Sequence, residues 1–269
     1  MLFIFTDLDG TLLNQNDYRY DDALPILGVL ENKNIPVIPV TSKTKAEVES
    51  LCNKIGLNSP FITENGSGIF IPKGDFRFDT TQALTTDLYK YISLGLDYHN
   101  ARGILGEISQ KLKTDLVGFG DLSPEDIVNL TGLSLNEAIL AKKRDFTEPF
   151  LTPKHINADL LQNIAKEYQT TIVVGDRFSH LISEKAGKGN AVKWLLNHYH
   201  NREEKIATIG LGNSPNDISL LENVDIPIII PNPDGVHKGL QNKNWQVAPH
   251  SGSKGWSQII TEIILGHKI

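Results

Sequence analysis

The chain has a single cysteine in 269 residues, which excludes an internal disulfide and any cysteine-based zinc cluster. It has no surplus of basic residues. Lys and Arg total 26 against 32 Asp and Glu, and the net charge of -6 argues against general nucleic-acid binding, which requires a basic face. An anionic ligand must therefore be met by local cations, from a metal or from placed lysines, and not by the overall field. No apolar run reaches the length of a membrane span, and Met1 leads into the first apolar segment without a basic stretch before it. Neither a membrane anchor nor a signal peptide is expected, and the cytoplasm is the expected compartment. Internal repeats and low-complexity tracts are absent as well. What remains is an ordinary globular composition, 40% hydrophobic and 22% charged, enough for one large domain or two modest ones.

The first apolar run, Met1 to Thr6, is too short for a helix and ends in Asp7-Leu8-Asp9-Gly10-Thr11. Such a run bounded by polar and glycine residues reads as a buried strand. Two carboxylates directly after it emerge at its carboxyl end, where open α/β sheets keep their ligand crevices. Asp-x-Asp can hold a hard cation and leave one carboxylate to attack or to move a proton. A plain Asx-Gly turn accounts for the same residues equally well, so the rest of the chain has to decide.

Leu24, Leu27 and Leu30 mark an amphipathic helix, and residues 35–40 a second strand, imperfect for its prolines, ending in Thr41-Ser42. Thr44 to Glu47 is a capping box for a helix ending at Gly56. Cys52 falls on the apolar face of that helix and reads as core filler, not as a nucleophile. Residues 61–63 and 69–71 flank Glu64-Asn65-Gly66-Ser67-Gly68 as a hairpin. From about Thr85 to Ser183 helices dominate, with starts at Ser123-Pro124 and Ser134, and strands are expected at 145–151, 170–174 and 178–183, the last two joined around Gly175-Asp176. The α/β pattern then resumes: a helix after Lys188-Gly189, a strand 206–211 ending in Gly212-Asn213-Ser214-Pro215-Asn216-Asp217, a strand 226–230, and a closing helix through Trp256 and Ile263. The simplest architecture is an α/β core, residues 1–84 and 184–269, with an α+β unit, residues 85–183, inserted.

Asp7-x-Asp9, Thr41-Ser42, Lys188 and the Asn213 to Asp217 loop all fall at strand ends or helix starts of this core. Each has a bland reading as a turn, a solvated lysine or a capped loop. Together they bring a nucleophile, a metal site, a hydroxyl donor and a lysine to one anion, which is what phosphoryl transfer needs.

The set resembles the haloacid-dehalogenase-like (HAD) phosphatases: Asp-Leu-Asp-Gly-Thr-Leu at one end and Gly-Asn-Ser-Pro-Asn-Asp near the other make the match specific. The fold this implies is a Rossmann-like parallel-sheet core with an inserted cap of the C2B type. Val117 to Leu122, Leu130 to Leu133, Lys143 to Phe150, Val40 to Thr44, Glu64-Asn65-Gly66 and Gly210 to Gly212 are similar to the mannosyl-3-phosphoglycerate phosphatases, so the likeness spans nearly the whole chain. The resemblance implies that Asp7 attacks phosphorus, that Asp9 serves as acid and then base, and that Thr41, Ser42 and Lys188 hold the phosphate. It implies Mg²⁺ at Asp7, Asp9, Asn213 and Asp217. The family usually has Asp where this chain has Asn213, an amide that brings no charge to the cation.

The substrate implied is 2-O-mannosyl-3-phosphoglycerate, cleaved to mannosylglycerate, a compatible solute. Its carboxylate suits Arg144 or Arg177, its sugar hydroxyls suit Asn65, Glu148 and His180, and Lys43 lies beside the phosphate loop. Glucosyl-3-phosphoglycerate, sucrose phosphate or a general sugar phosphate are alternatives within the same chemistry. A ligand-binding protein without turnover is an alternative of another class, motivated by Asn213. His198 and His200, two apart on a helix, do not share a face and are not expected to pair on a metal.

Overall fold

The computed structural model describes residues 1–153, 156–174, 178–201 and 203–266. The chain opens with β1 (Leu2–Thr6), α1 (Leu24–Asn32), β2 (Val37–Pro39), α2 (Lys45–Ile55), β3 (Phe61–Thr63), β4 (Gly68–Pro72), β5 (Leu84–Thr85) and β6 (Tyr89–Ser93). It continues through α3 (Tyr98–Leu112), α4 (Pro124–Thr131), α5 (Leu135–Ala141), β7 (Glu148–Phe150), α6 (Ala158–Lys166), β8 (Thr170–Val174) and β9 (Ser179–Ser183). It closes with α7 (Lys188–Asn197), β10 (Ala207–Gly212), α8 (Ile218–Leu221), β11 (Ile226–Ile229), β12 (Gln246–Val247) and α9 (Gly252–Leu265).

Strands β12, β11, β10, β1 and β2 lie in that order in a parallel sheet. Central β1 is apolar throughout because both of its faces are covered, and its side chains alternate between two cores. Ile4 packs with Leu27, Leu30, Trp256 and Ile259 under α1 and α9. Phe3 and Phe5 pack with Ala191, Val192 and Leu195 under α7. Each such side chain contributes roughly 1.5–3 kcal/mol on burial. This packing sets the level at which Asp7 leaves the sheet.

A single parallel bridge, Val40 to Ile62, carries the sheet on to β3, and β3, β4, β6 and β5 continue it antiparallel. The expected boundary at residue 84 thus falls inside β5. Strand β6 is hydrogen-bonded to β4 from Gly68↔Ser93 to Pro72↔Tyr89, so this sheet claims the chain as far as Ser93. The pairing is set by the partner: Tyr89 and Tyr91 pack beside Phe61 and Phe70, whereas Ile92 turns to the other core.

The second unit has its own antiparallel sheet, β7-β9-β8, backed by α3 and α6 through Leu105, Ile108, Leu161 and Leu181. Helices α4 and α5 carry the expected capping boxes at Ser123 and Ser134. The strand expected over 145–151 is shorter, Glu148–Phe150, because Asp145, Phe146 and Thr147 donate their N–H groups to the Glu64 carboxylate and not to a ladder. Helix α6 was not anticipated. Strands β8 and β9 pair as expected, while Gly175, Asp176 and Arg177 lie outside the described residues.

Candidate active site

The four sequence signals converge at the carboxyl ends of β1, β2 and β10 and at the start of α7. Asp7 is anchored through its backbone: its N–H donates to the Leu211 carbonyl at 2.9 Å, and its own carbonyl accepts from Thr6 Oγ1 at 2.7 Å. Trp256 Nε1, buried in the core, donates to that same hydroxyl at 3.0 Å. Asp7 is therefore held from the sheet and from α9 at once.

Lys188, only 1% exposed, places Nζ 2.6 Å from Asp7 Oδ1 and 2.6 Å from Asp217 Oδ1. Burial disfavours its charge, but Asp217 and Asp7 outweigh that and hold it protonated well above the usual lysine range. Burial and then the Asp217 carboxylate push Asp7 up to about 7, against the pull of Lys188. Asp7 thus stays harder to ionise than an ordinary carboxylate even with its lysine beside it.

Asp217 Oδ2 accepts from the backbone N–H of Asn213 and of Ser214, each at 3.0 Å. Both Asp217 oxygens are occupied and the residue does not line the cavity, so the structure gives it the work of closing the 213–217 loop and balancing Lys188. The resemblance would have Asp217 coordinate the cation directly or through water, and in the structure its oxygens face Lys188 and two backbone amides. Asn213, by contrast, reaches the cavity with Asp7 and Asp9. Its Nδ2 donates to Asn232 Oδ1 at 3.1 Å, and a Cβ on Gly10 (φ +77°) would lie 2.3 Å from that nitrogen, so only glycine lets the first and last motifs approach this closely.

The donors around Asp7 fit a magnesium ion. The lining offers oxygens: the carboxylates of Asp7 and Asp9, with Asp9 Oδ1 buried and without a partner among the described residues, and the Asn213 amide. Mg²⁺ takes few protein ligands and keeps water and phosphate oxygens for the rest. A divalent cation beside Asp7 favours its ionised form. Among the described residues no group of three or more His, Cys, Asp or Glu side chains gathers as a metal cluster, so an all-protein cage is not the design here.

A cavity of about 460 Å³ opens above this floor. Asp7, Asp9, Ser42, Lys43, Asn213 and Asn216 line it from the core, and Phe119, Arg144, Pro149, Phe178 and His180 from the inserted unit. Lys43 Nζ lies 3.0 Å from Asp9 Oδ2 and 3.5 Å from Glu47 Oε1. Burial works against its charge, but these two carboxylates hold it above the usual lysine range. Thr41 lies just beneath the cavity wall, its hydroxyl accepting from the Lys43 N–H at 3.2 Å. Arg144 and His180 both line the cavity from the inserted unit. Burial drives His180 down to about 3, with Arg144 and Lys188 adding to the effect, so its ring is neutral.

Five nominated residues do not line the cavity: Thr41, Lys188 and Asp217, described above, and Asn65 and Glu148. Asn65 accepts from Asn216 Nδ2 at 3.4 Å, and its own Nδ2 is buried with no partner among the described residues. Glu148 Oε1 accepts from Gly120 N–H at 2.8 Å and lies 3.3 Å from Arg102 Nη1, so it supports the 117–122 loop that presents Phe119. Arg177 lies outside the described residues. Phe119 and Phe178, in edge-to-face contact with centroids 4.9 Å apart, were not nominated. The paired glycines around Phe119 were the available signal. Gln15, Tyr18, Asn232 and His237 also reach the cavity from loops that carry no motif.

A parallel sheet with an aspartate nucleophile position, a lysine between two carboxylates and an inserted roof defines a class. Residues 4–238 match the haloacid dehalogenase-like hydrolases, and the chain belongs to that family. It is a phosphatase: over 264 residues it is 42% identical to the glucosyl-3-phosphoglycerate/mannosyl-3-phosphoglycerate phosphatase of Persephonella marina, covering 98% of this chain and 97% of that protein. It is 37% identical over 267 residues to the Methanococcoides burtonii protein of the same name, covering 97% and 96%. Among solved structures, the sucrose-phosphatase of Synechocystis in complex with sucrose and phosphate shares the fold, with a TM-score of 0.63 at 18% identity over 97% of each chain.

Proposed function

We propose that this phosphatase hydrolyses the phosphate ester of 2-O-hexosyl-3-phosphoglycerates, mannosyl and glucosyl alike, with Mg²⁺ as cofactor. The observation that carries this reading is Lys188 Nζ set between Asp7 and Asp217, with Asp7 lining a cavity that Arg144 and His180 also line. The names of the relatives, which include both sugars, support the substrate class. In this reading the chain from the end of β6 through β9, residues 94–183, is the cap that recognises the leaving alcohol, and residues 1–93 with 184–269 form the core.

An Asp7 oxygen forms a bond to phosphorus as the ester P–O bond breaks, and Asp9 delivers its proton to the departing alkoxide. Asp9 then takes a proton from water, whose oxygen attacks phosphorus and releases Asp7 and inorganic phosphate. Lys188, the Ser42 N–H and Thr41 balance and orient the phosphate oxygens. Mg²⁺, held by Asp7, the Asp9 carbonyl and Asn213, would neutralise charge on the transferring group.

The test is phosphate release with Mg²⁺ from mannosyl-3-phosphoglycerate, glucosyl-3-phosphoglycerate and sucrose phosphate. The two glycerates are expected to turn over and Asp7→Asn to abolish it. Full activity in Asp7→Asn refutes the nucleophile, and sucrose phosphate as the best substrate refutes the substrate class.

A further inference from the structure

Glu64 is a buried ionisable group that this reaction leaves unused. It sits in the turn after β3 with none of its surface exposed. Glu64, Asn65 and Gly66 all have positive φ, at 49°, 58° and 88°. Such backbone is disfavoured for non-glycine residues and persists where the surroundings over-determine it. The Glu64 carboxylate is filled from one segment of the cap. Oε1 accepts from the Asp145 N–H at 2.8 Å, and Oε2 from the N–H of Phe146 at 3.2 Å and from the N–H and Oγ1 of Thr147, each at 2.8 Å. Arg144 Nε lies 3.2 Å from Oε2. A carboxylate taken out of water stands only when paired and hydrogen-bonded, and here those partners all come from residues 144–147.

Arg144 is fixed in turn. Its Nε faces Glu64 and donates to the Thr147 carbonyl at 3.3 Å, while Nη2 donates to Thr147 Oγ1 at 2.6 Å and to the Ser42 carbonyl at 3.1 Å. Its Nη1 donates to no described residue, and the side chain lines the cavity. Lys43 faces the same space but is committed to carboxylates of the core, and Lys188 is buried between Asp7 and Asp217. The guanidinium is a planar fork, so holding Nε and Nη2 also sets the direction of Nη1.

We infer that Glu64 is a positioning residue that holds Arg144 for the carboxylate of the substrate, and thereby sets the preference for phosphate esters carrying a carboxylate beside the phosphate. This rests on the substrate class proposed above. A cation locked before binding loses little freedom on meeting its anion, and Nη1 keeps two N–H groups to offer a carboxylate.

The test uses 2-O-glucosyl-3-phosphoglycerate and 2-O-glucosylglycerol 3-phosphate, which differ only by carboxylate against hydroxymethyl. kcat/KM for each is measured in the wild type, Glu64→Gln, Arg144→Lys and the double variant. The wild type is expected to prefer the carboxylate ester. Glu64→Gln should cut that preference by roughly tenfold, mainly through KM, as expected for a misplaced charge-assisted hydrogen bond, and should add little in the Arg144→Lys background. A uniform fall for both substrates with preference intact makes Glu64 merely structural and overturns the inference, as do additive losses in the double variant. Thr147→Val keeps both charges and removes the hydroxyl shared by Glu64 and Arg144. It supplies the same readout if Glu64→Gln does not fold: a reduced preference supports the inference and an unchanged one overturns it. A wild type with no preference sinks the substrate class together with this inference, whereas a wild-type preference that survives the variants sinks the role of Glu64 alone.

Discussion

Asn213 donates through Nδ2 to Asn232 Oδ1 at 3.1 Å, which commits its nitrogen and leaves its oxygen as the atom available to a cation. A neutral amide therefore stands in the metal site beside Asp7. Asn213→Asp adds a carboxylate of nearly the same shape. The half-saturating Mg²⁺ concentration is expected to fall several-fold, on the order of one charge-assisted contact. Activity titrated against Mg²⁺ checks this, and an unchanged midpoint would mean that position 213 does not touch the cation.

Lys188 keeps two buried carboxylates compatible. In Lys188→Met, Asp7 and Asp217 face each other without a cation. Stability should drop by about 3–5 kcal/mol, the range for breaking a buried ion pair from one side. Turnover should fall by about 10²–10³ or more, as when a preorganised charge partner of the transition state is removed. Urea unfolding and kcat at low temperature separate the two effects; a stable, active variant would contradict the bridge.

His180 makes stability depend on pH in one direction. Burial drives it to about 3 in the folded chain from the ordinary imidazole value of 6.5. The unfolded chain therefore takes up the proton first as pH falls. The stability of the neutral ring is complete above about pH 6.5 and is lost progressively below it, at up to roughly 1.4 kcal/mol per pH unit. The measurement is the unfolding free energy between pH 7 and 5, wild type against His180→Gln, with the wild type expected to decline more steeply. Parallel profiles would place the imidazole in water.

Cys52 is buried on the inner face of α2, and burial, with Glu49 adding, pushes its thiol up to about 12. Native protein should react with a thiol reagent at pH 8 only as fast as it opens, and Cys52→Ala should keep the wild-type kcat. Rapid labelling with loss of activity would require a different role for this residue.

The sequence by itself determined what depends on local pattern. The apolar run before Asp7, the capping box Thr44–Glu47, the caps at Ser123 and Ser134 and the glycine after α2 are read from neighbours a few residues apart, and all stand in the structure. The catalytic motifs were legible for the same reason: each sits at the end of an element that its own residues define. The tertiary structure alone decided what depends on distant partners. Strand β6 exists because β4 offers it an edge. Asp217 faces Lys188 and two backbone amides that reach it from elsewhere. Glu148 supports a loop where a sugar contact was expected. Glu64, which looked like part of a hairpin turn, holds the cap segment from beneath. A hydrogen bond between residues many positions apart leaves no periodicity in the chain, so its partners appear only once the fold has brought them within 3 Å or so of each other.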